Sequence, residues 1–539
     1  MKEYIVVAKN EADIDSLHQD LTQDTTFDAS INHSVIPNRE IHVANPRLAN
    51  PRITHYLLTD AEAEKLAKDS RVEAIHVPVP SDAKKPHAIK ILNTVQKPKA
   101  YNNIAGNFNR NATRDQYNVN WGLRRTSLIR SESRTGGTYE YDVNGAGVDV
   151  VVMDDGIQAD HPEFLDATGT SRVQKIDWYA ATGVPGTMPP RHYNVNGFAE
   201  GEHGTHVATT IAGKTFGYAK NARIYLIRIF GSSDQTIPDS DMFDLVRVWH
   251  MQKPIDRVTG ARRPTILNMS WGYSWRYDDG SFQRRITSIK YRNEQYTYSP
   301  TVGRKSEYGQ VNDYHGFLVP STNAEAQDCE NAGVVLVHSA GNSKHKIDVS
   351  TGPDYNNYYT INRPWADGFV PAGSPIYYHR GCLQTTYMNT VSAISDVSVL
   401  SGTTLKDRVD SYSERGPGVT VCAPGTNITA GTSKSSSYPA NQYVWATRNI
   451  KDTSNKVCKI SGTSMAAPQV TGVLALFLSR NPTATPAQAH NWLLSKSVKG
   501  QLLSSTATDD WTNQYALLGG PNNYLYNPYR AGYRDSALR

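Results

Sequence analysis

The chain has 539 residues, 38% of them hydrophobic and 20% charged, the balance of a globular protein with a sizeable core and at least one further domain. Its 56 basic and 51 acidic residues leave a formal charge of +5, too weak a surplus to point to nucleic acid as a partner. No uninterrupted apolar stretch is long enough to span a membrane. The four scattered cysteines, Cys329, Cys382, Cys422 and Cys458, lack the paired spacing of a zinc site, so buried free thiols are the default and disulfides stay open.

In chain order, the first apolar run extends only from Tyr4 to Ala8. That is too short for a signal-peptide core and predicts a soluble chain, cytoplasmic or part of an assembly, with secretion by another route left open. EYIVVAK (3–9) reads as a strand, ADIDSLHQDL (12–21) as an amphipathic helix and ITHYLLT (53–59) as a second strand. Thr59 stands three residues before Glu62, a capping-box spacing that opens the helix DAEAEKLAKDS, and VEAIHVPV (72–79) closes the unit as a strand. Residues 1–79 are thus predicted to form a small α+β domain. Residues 80–118, rich in Asn, Lys and Pro, read as an exposed linker, in which the basic pair Lys84-Lys85 is either simply solvated or a cleavage point.

From about residue 119 to 500, β-branched runs alternate with helical stretches. VDVVVMDDG, ARIYLIRIFG, PTILNMSWG and GVVLVHSAGN end in Gly, Asp or Asn, as parallel strands do when they deliver loops at their carboxyl ends. Functional residues of such sheets collect there. Asp154 leaves the first of these strands, placed either to orient a histidine or to cap a turn. His203 lies at the entry of a small-residue helix, with His206 one turn on. That pair suits metal poorly, because no third ligand stands at a helical spacing beside it. Asn342 sits in a Gly-Asn turn, as an oxyanion donor or as turn chemistry. Ser464, in SGTSMAAPQV, opens an apolar helix, where a serine serves as a cap or as a nucleophile facing the positive helix end.

Together VVVMDDG, HGTHVA, HSAGN and SGTSMAAP resemble, in this order, the motifs of the subtilisin-like serine proteases, the subtilase family. NWGLRRT at Asn120, FGYAKNARIYLIRI at Phe216, NMSWG at Asn268, CAPGTNI at Cys422 and NPTATPAQAHNWLL at Asn481 extend the resemblance over most of 119–500. It implies an α/β fold, a doubly wound, mostly parallel sheet with helices on both faces, preceded by a propeptide-like α+β domain. It implies a serine endopeptidase made as a zymogen, with Ser464 as nucleophile, His203 as general base, Asp154 as its orienting carboxylate and Asn342 in the oxyanion hole. The Asp, His, Ser chain order is itself that of subtilisin.

By the same resemblance Ser270, Trp271, Gly272, Ser339, Ala340 and Gly341 wall the specificity pocket, and an extended polypeptide substrate adds as a strand to their edges. The N-terminal domain becomes an intramolecular inhibitor whose VEAIHVPVP segment lies in the cleft. Catalysis needs no cofactor, and structural calcium enters only through the resemblance, with no compact acidic loop to locate it. No nucleic acid and no membrane are expected as partners. The DDG form, with Asp155 after Asp154, and the SWG form resemble the kexin and furin branch, which cleaves after basic residues. That branch carries a β-rich domain after the protease, whereas 501–539 reads here as a tail. Asp278-Asp279 is either a basic-residue pocket or a turn, and residues 274–314 form an insertion, either a lid or partner-binding loop or a tolerated surface addition. The competing expectation, from another class, is an assembly component, such as part of a viral particle, that keeps the protease fold as a scaffold or cleaves only itself or one partner.

Overall fold

The computed structural model describes residues 1–22, 41–79, 83–86, 120–131, 139, 141, 143–166, 168–193, 201–257, 259–276, 286–297, 314–361, 374–434, 456–504, 513 and 515–529. The apolar run at the amino terminus is an inner strand. Lys2–Ala8 lies between Ile53–Leu58 and Val72–His76 in an antiparallel sheet whose other edge is Val43–Asn45. Alternation divides its side chains between two faces. Tyr4, Val6 and Ala8 cluster with Leu17 and Leu21 of the helix Ile14–Thr22 and with Leu66 of the helix Asp60–Leu66. Ile5, Val7 and Ile53 pack on Ala324, which belongs to the larger unit. The expected capping box is present: Thr59 Oγ1 accepts from the Glu62 N–H at 3.3 Å, and the Thr59 N–H donates to Glu62 Oε2 at 2.7 Å.

The larger unit is built on an eight-stranded sheet in the order Val498–Lys499, Asn523–Tyr524, Val421–Pro424, Asn389–Ile394, Val335–Ser339, Thr265–Met269, Asp149–Asp154, Arg223–Arg228. The first strand is antiparallel to its neighbour and the others run parallel. Asp149–Asp154 is buried along its whole length, as a strand covered on both faces must be. Val151 and Met153 join a cluster with Phe243 and Val246 of the helix Met242–Gln252, while Val150 and Val152 join one with Leu474 of the helix Thr463–Arg480. Helices therefore cover both faces, as in the doubly wound class. The four cysteines are free and buried.

Three assignments change. Of the residues read as a tail, the described ones, 501–504, 513 and 515–529, join the larger unit: Asn523–Tyr524 enters the central sheet and Leu502, Leu517 and Tyr524 are buried. Their apolar positions are too sparse to show a period, and their partners, Val421–Pro424 and Val498–Lys499 on either side of Asn523–Tyr524, are far along the chain or brought there by the fold. Residues 84–86 are not exposed linker: Lys84–Pro86 forms a strand on the edge of Trp271–Arg276. Inside the insertion, Ile286–Tyr291 and Glu294–Thr297 form a hairpin that pairs on with Tyr358–Ile361 and Pro375–Tyr377. Its two turn residues, Arg292 and Asn293, have φ of 50° and 72°, the left-handed pair that matches strand twist in a two-residue hairpin loop. Asp278-Asp279 lies outside the described residues.

Candidate active site

Three neighbouring parallel strands bring their carboxyl ends together. Asp154 is the last residue of one, Ser270 follows Thr265–Met269, and Asn342 follows Val335–Ser339 by a short turn through Gly341, whose φ is 120°. His203 and Ser464 arrive from the starts of the helices Glu202–Ala212 and Thr463–Arg480, which pack against one another.

His203 Nδ1 lies 2.7 Å from Asp154 Oδ1, both side chains being buried. An ionised carboxylate only accepts, so this contact places the imidazole proton on Nδ1 and leaves the Nε2 lone pair free. Among the described residues Nε2 has no hydrogen-bond partner. Burial works against a charge on the ring, but the attraction of Asp154, with Asp155 and Glu202 behind it, wins, and the pKa stands above the usual 6.5.

Asp155 explains the unusual second acid of the DDG segment. Its Oδ2 accepts from the His203 N–H at 3.2 Å and its Oδ1 from the Gly204 N–H at 2.7 Å, so it caps the helix that carries His203. Burial, and then the charge of Asp154 next to it, push its pKa up. No local pattern announces a cap whose helix begins 47 residues later, and in sequence Asp155 reads only as the DDG form that resembles the kexin and furin branch. Gly204 is fixed by the same close approach, because a Cβ there would stand 2.2 Å from the Gly156 carbonyl oxygen.

Around Ser464 the polar contacts interlock. Pro468 lacks the N–H that would bond the Ser464 carbonyl in a regular helix. That carbonyl accepts instead from Ser270 Oγ at 3.0 Å, and Ser270 Oγ in turn accepts from Asn268 Nδ2 at 2.9 Å. Asn268 Oδ1 takes a hydrogen bond from Thr471 at 2.8 Å, closing the loop back onto the helix Thr463–Arg480. The Ser464 hydroxyl donates to the Ser270 carbonyl at 2.8 Å. Asn342 Oδ1 accepts from both the N–H and the hydroxyl of Thr463 at 3.0 Å each. This contact turns the amide so that its two N–H donors point away from the helix start.

The residues expected to wall the specificity pocket, Gly272 and Gly341 included, are buried. Ser270, Trp271, Ser339 and Ala340 have no exposed surface, and the Trp271 ring stands edge-on to Tyr273, 5.6 Å away, in the core. Three other buried polar side chains near the site, His338, Thr209 and Gln469, have local partners. His338 Nε2 meets the Trp271 carbonyl at 2.8 Å, with burial holding its pKa down to about 4, so it donates as a neutral ring. Thr209 bonds back to Thr205 and across to Gly431, and Gln469 bonds Tyr218 and Pro424. His206 contacts the Ile428 carbonyl at 3.0 Å, and burial lowers its pKa to about 3. Among the described residues no group of three or more His, Cys, Asp or Glu side chains is placed to hold a metal.

A buried carboxylate, a tautomer-fixed imidazole and a hydroxyl at a helix start, on the carboxyl edge of a parallel α/β sheet, define a hydrolase of the serine type. The Subtilase family matches residues 145–517, and the chain belongs to that family of serine-type endopeptidases. A "Cuticle-degrading serine protease" of Arthrobotrys oligospora is 25% identical over 418 residues, 77% of this chain and 69% of its own. The "Extracellular serine proteinase" of a Thermus species is 27% identical, covering 76% and 66%, and Proteinase R of Parengyodontium album is 25% identical, covering 73% and 68%. The solved structure of fervidolysin from Fervidobacterium pennivorans, described as a keratinolytic enzyme related to subtilisin, is 19% identical with a TM-score of 0.46, covering 98% of this chain and 60% of that one. The relatives are named for proteolysis, which lends no support to the scaffold alternative. No helix among the described residues is long and apolar enough to cross a membrane.

Proposed function

We propose that the chain cleaves polypeptides through Ser464, His203 and Asp154 by way of an acyl-enzyme, and that its N-terminal domain is the inhibitory part of a zymogen. The observation that carries the first half is the Asp154–His203 contact with Nε2 left as a partnerless base. Rotation of the Ser464 side chain away from the Ser270 carbonyl turns its hydroxyl to that base. Nε2 takes the proton as Oγ attacks the peptide carbonyl, and the imidazolium is held by Asp154, with Asp155 nearby. The oxyanion meets the Ser464 N–H at the start of Thr463–Arg480 and the Asn342 amide. The imidazolium then protonates the leaving amine, and water repeats the sequence on the acyl-enzyme.

Asn342→Ala is expected to lower kcat by about 10²- to 10³-fold with KM little changed, the range known for this donor within the same family. A loss shared equally with KM in steady-state kinetics points to a binding role instead. The acid limb of kcat/KM should have its midpoint above 6.5, because the base acts only when neutral and its neighbouring anions favour the charged ring. Asp155→Asn removes one of those anions, so the midpoint moves to lower pH, and a profile that stays in place overturns that role.

The second half rests on Lys84–Pro86, which pairs antiparallel with the edge expected to take substrate: Lys84 with Tyr273, Lys85 with Gly272, Pro86 with Trp271. This replaces VEAIHVPVP as the cleft segment, since Val72–His76 stays in its own sheet. Full-length protein and a Ser464→Ala variant, followed by intact mass beside a fluorophosphonate probe, test the reading. Labelling and shedding of an N-terminal fragment by the unmutated chain alone is the expected result. Labelling without cleavage refutes self-maturation, and absence of both, even after residues 1–118 are removed, refutes the active site.

A further inference from the structure

We propose that Asp239 makes the groove selective for a lysine or arginine side chain at the substrate residue that pairs with Tyr273. This deepens the proposed function and rests on it. Lys84 occupies that place on the strand Lys84–Pro86. Its side chain is 3% exposed and ion-paired to Asp239, whose own side chain is 37% exposed. The ammonium lies 5.8 Å from the centre of the Phe230 ring, and the Tyr273 hydroxyl stands 3.4 Å from Asp239 Oδ2.

A lysine is almost never buried without a partner built to receive it. Here an aromatic face takes the charge and a carboxylate open to water on one side neutralises it. Lys85 and Pro86, the next two residues, are exposed. Of its three residues the strand therefore delivers one side chain into the protein and leaves the two that follow in solvent, which is how an edge-added peptide is read. In the same antiparallel register, the Tyr273 partner stands three residues before the position opposite Ser270, whose carbonyl holds the Ser464 hydroxyl. The selected cation thus lies three residues on the amino side of the residue presented to the nucleophile. An uncharged residue of equal length leaves Asp239 unpaired and gains only the contact with the ring.

The test uses the full chain and peptides that differ only at this residue, as Lys, Arg, norleucine or Glu, with rates normalised to the fluorophosphonate-labelled fraction. The unmutated protein should favour Lys over norleucine by about tenfold or more in kcat/KM, the scale of a desolvated charge pair. Asp239→Asn should bring the two within about twofold, and Asp239→Lys should make Glu the better substrate. A series flat within about twofold in labelled, unmutated enzyme overturns the proposal. If nothing labels even after residues 1–118 are removed, it is the nucleophile assignment that has failed, and the subsite is decided without catalysis by acylating lysines in the full-length Ser464→Ala protein. Lys84 should then resist modification, with Asp239→Asn raising its rate at least about tenfold. An unchanged rate would overturn the subsite.

Discussion

Replacing Ser464 by Ala should cut turnover by about 10⁶-fold, a magnitude carried over from subtilisin, a member of the same family. The cause is the loss of the only atom that can form the acyl bond. The oxyanion donors and the substrate edge remain, so residual activity should still exceed the uncatalysed rate by about 10³- to 10⁴-fold. Structure should change little: the variant gives up one hydrogen bond to the Ser270 carbonyl, about 1 kcal/mol, and the helix start keeps its contacts from Ser270 and Asn342. His203→Ala should cost as much, because the hydroxyl is inert without its base, and the double variant should cost no more than either alone. Steady-state rates, with circular dichroism to confirm folding, decide the matter. Ser464→Ala protein that keeps even a hundredth of the activity is incompatible with the mechanism.

The second large effect is expected at Arg47→Ala, in the contact between the two units. The Arg47 guanidinium bridges Asp244 at 2.8 Å and Glu325 at 2.9 Å, from the helices Met242–Gln252 and Pro320–Asn331, and all three side chains are 3% exposed. Burial holds Glu325 up to about 8 even with Arg47 beside it. Without the arginine, two carboxylates stay buried with only Arg247, 3.3 Å from Asp244, as a counter-charge. Removing one partner of such a cluster costs about 3–5 kcal/mol. Hydrogen exchange along Lys2–Ala8 and Ile53–Leu58 in a Ser464→Ala background should therefore quicken by two orders of magnitude or more. Arg52→Ala is the control. Its partners Asp328 and Glu73 are 22% and 49% exposed, so the carboxylates it leaves behind stay in reach of water and the effect on exchange should be the smaller one. Similar exchange in the two variants would show that the apolar contact of Ile5, Val7 and Ile53 with Ala324 holds the unit instead.

Much of the architecture was legible because its signals are local. Val150, Val151 and Val152 announce a strand buried on both faces, Thr59 and Glu62 announce a helix start, and Gly462 before Ser464 announces a turn into a helix. Arg47, Asp155 and Lys84 carry no such signal. The arginine stands among prolines and asparagines with no pattern around it, the second acid reads only as the DDG form of a family branch, and the lysine pair reads as solvated or as a cleavage point. Each acquires its role from groups far along the chain: Glu325 for Arg47, the His203 and Gly204 amides for Asp155, Asp239 for Lys84.

The amino-acid sequence by itself determined the class of protein, the strands and helices that carry its chemistry, and the residue types at the strand ends and helix starts. It could do so because period, capping and the wording of four motifs each lie within a few residues. Only the tertiary structure decided that the Asn342 amide turns its donors outward, that Ser270 replaces the hydrogen bond Pro468 removes, and that Lys84 sits against Asp239 on the substrate edge. The reason is physical. A buried polar group must find its partner wherever the fold brings one, and sequence separation places no limit on that distance.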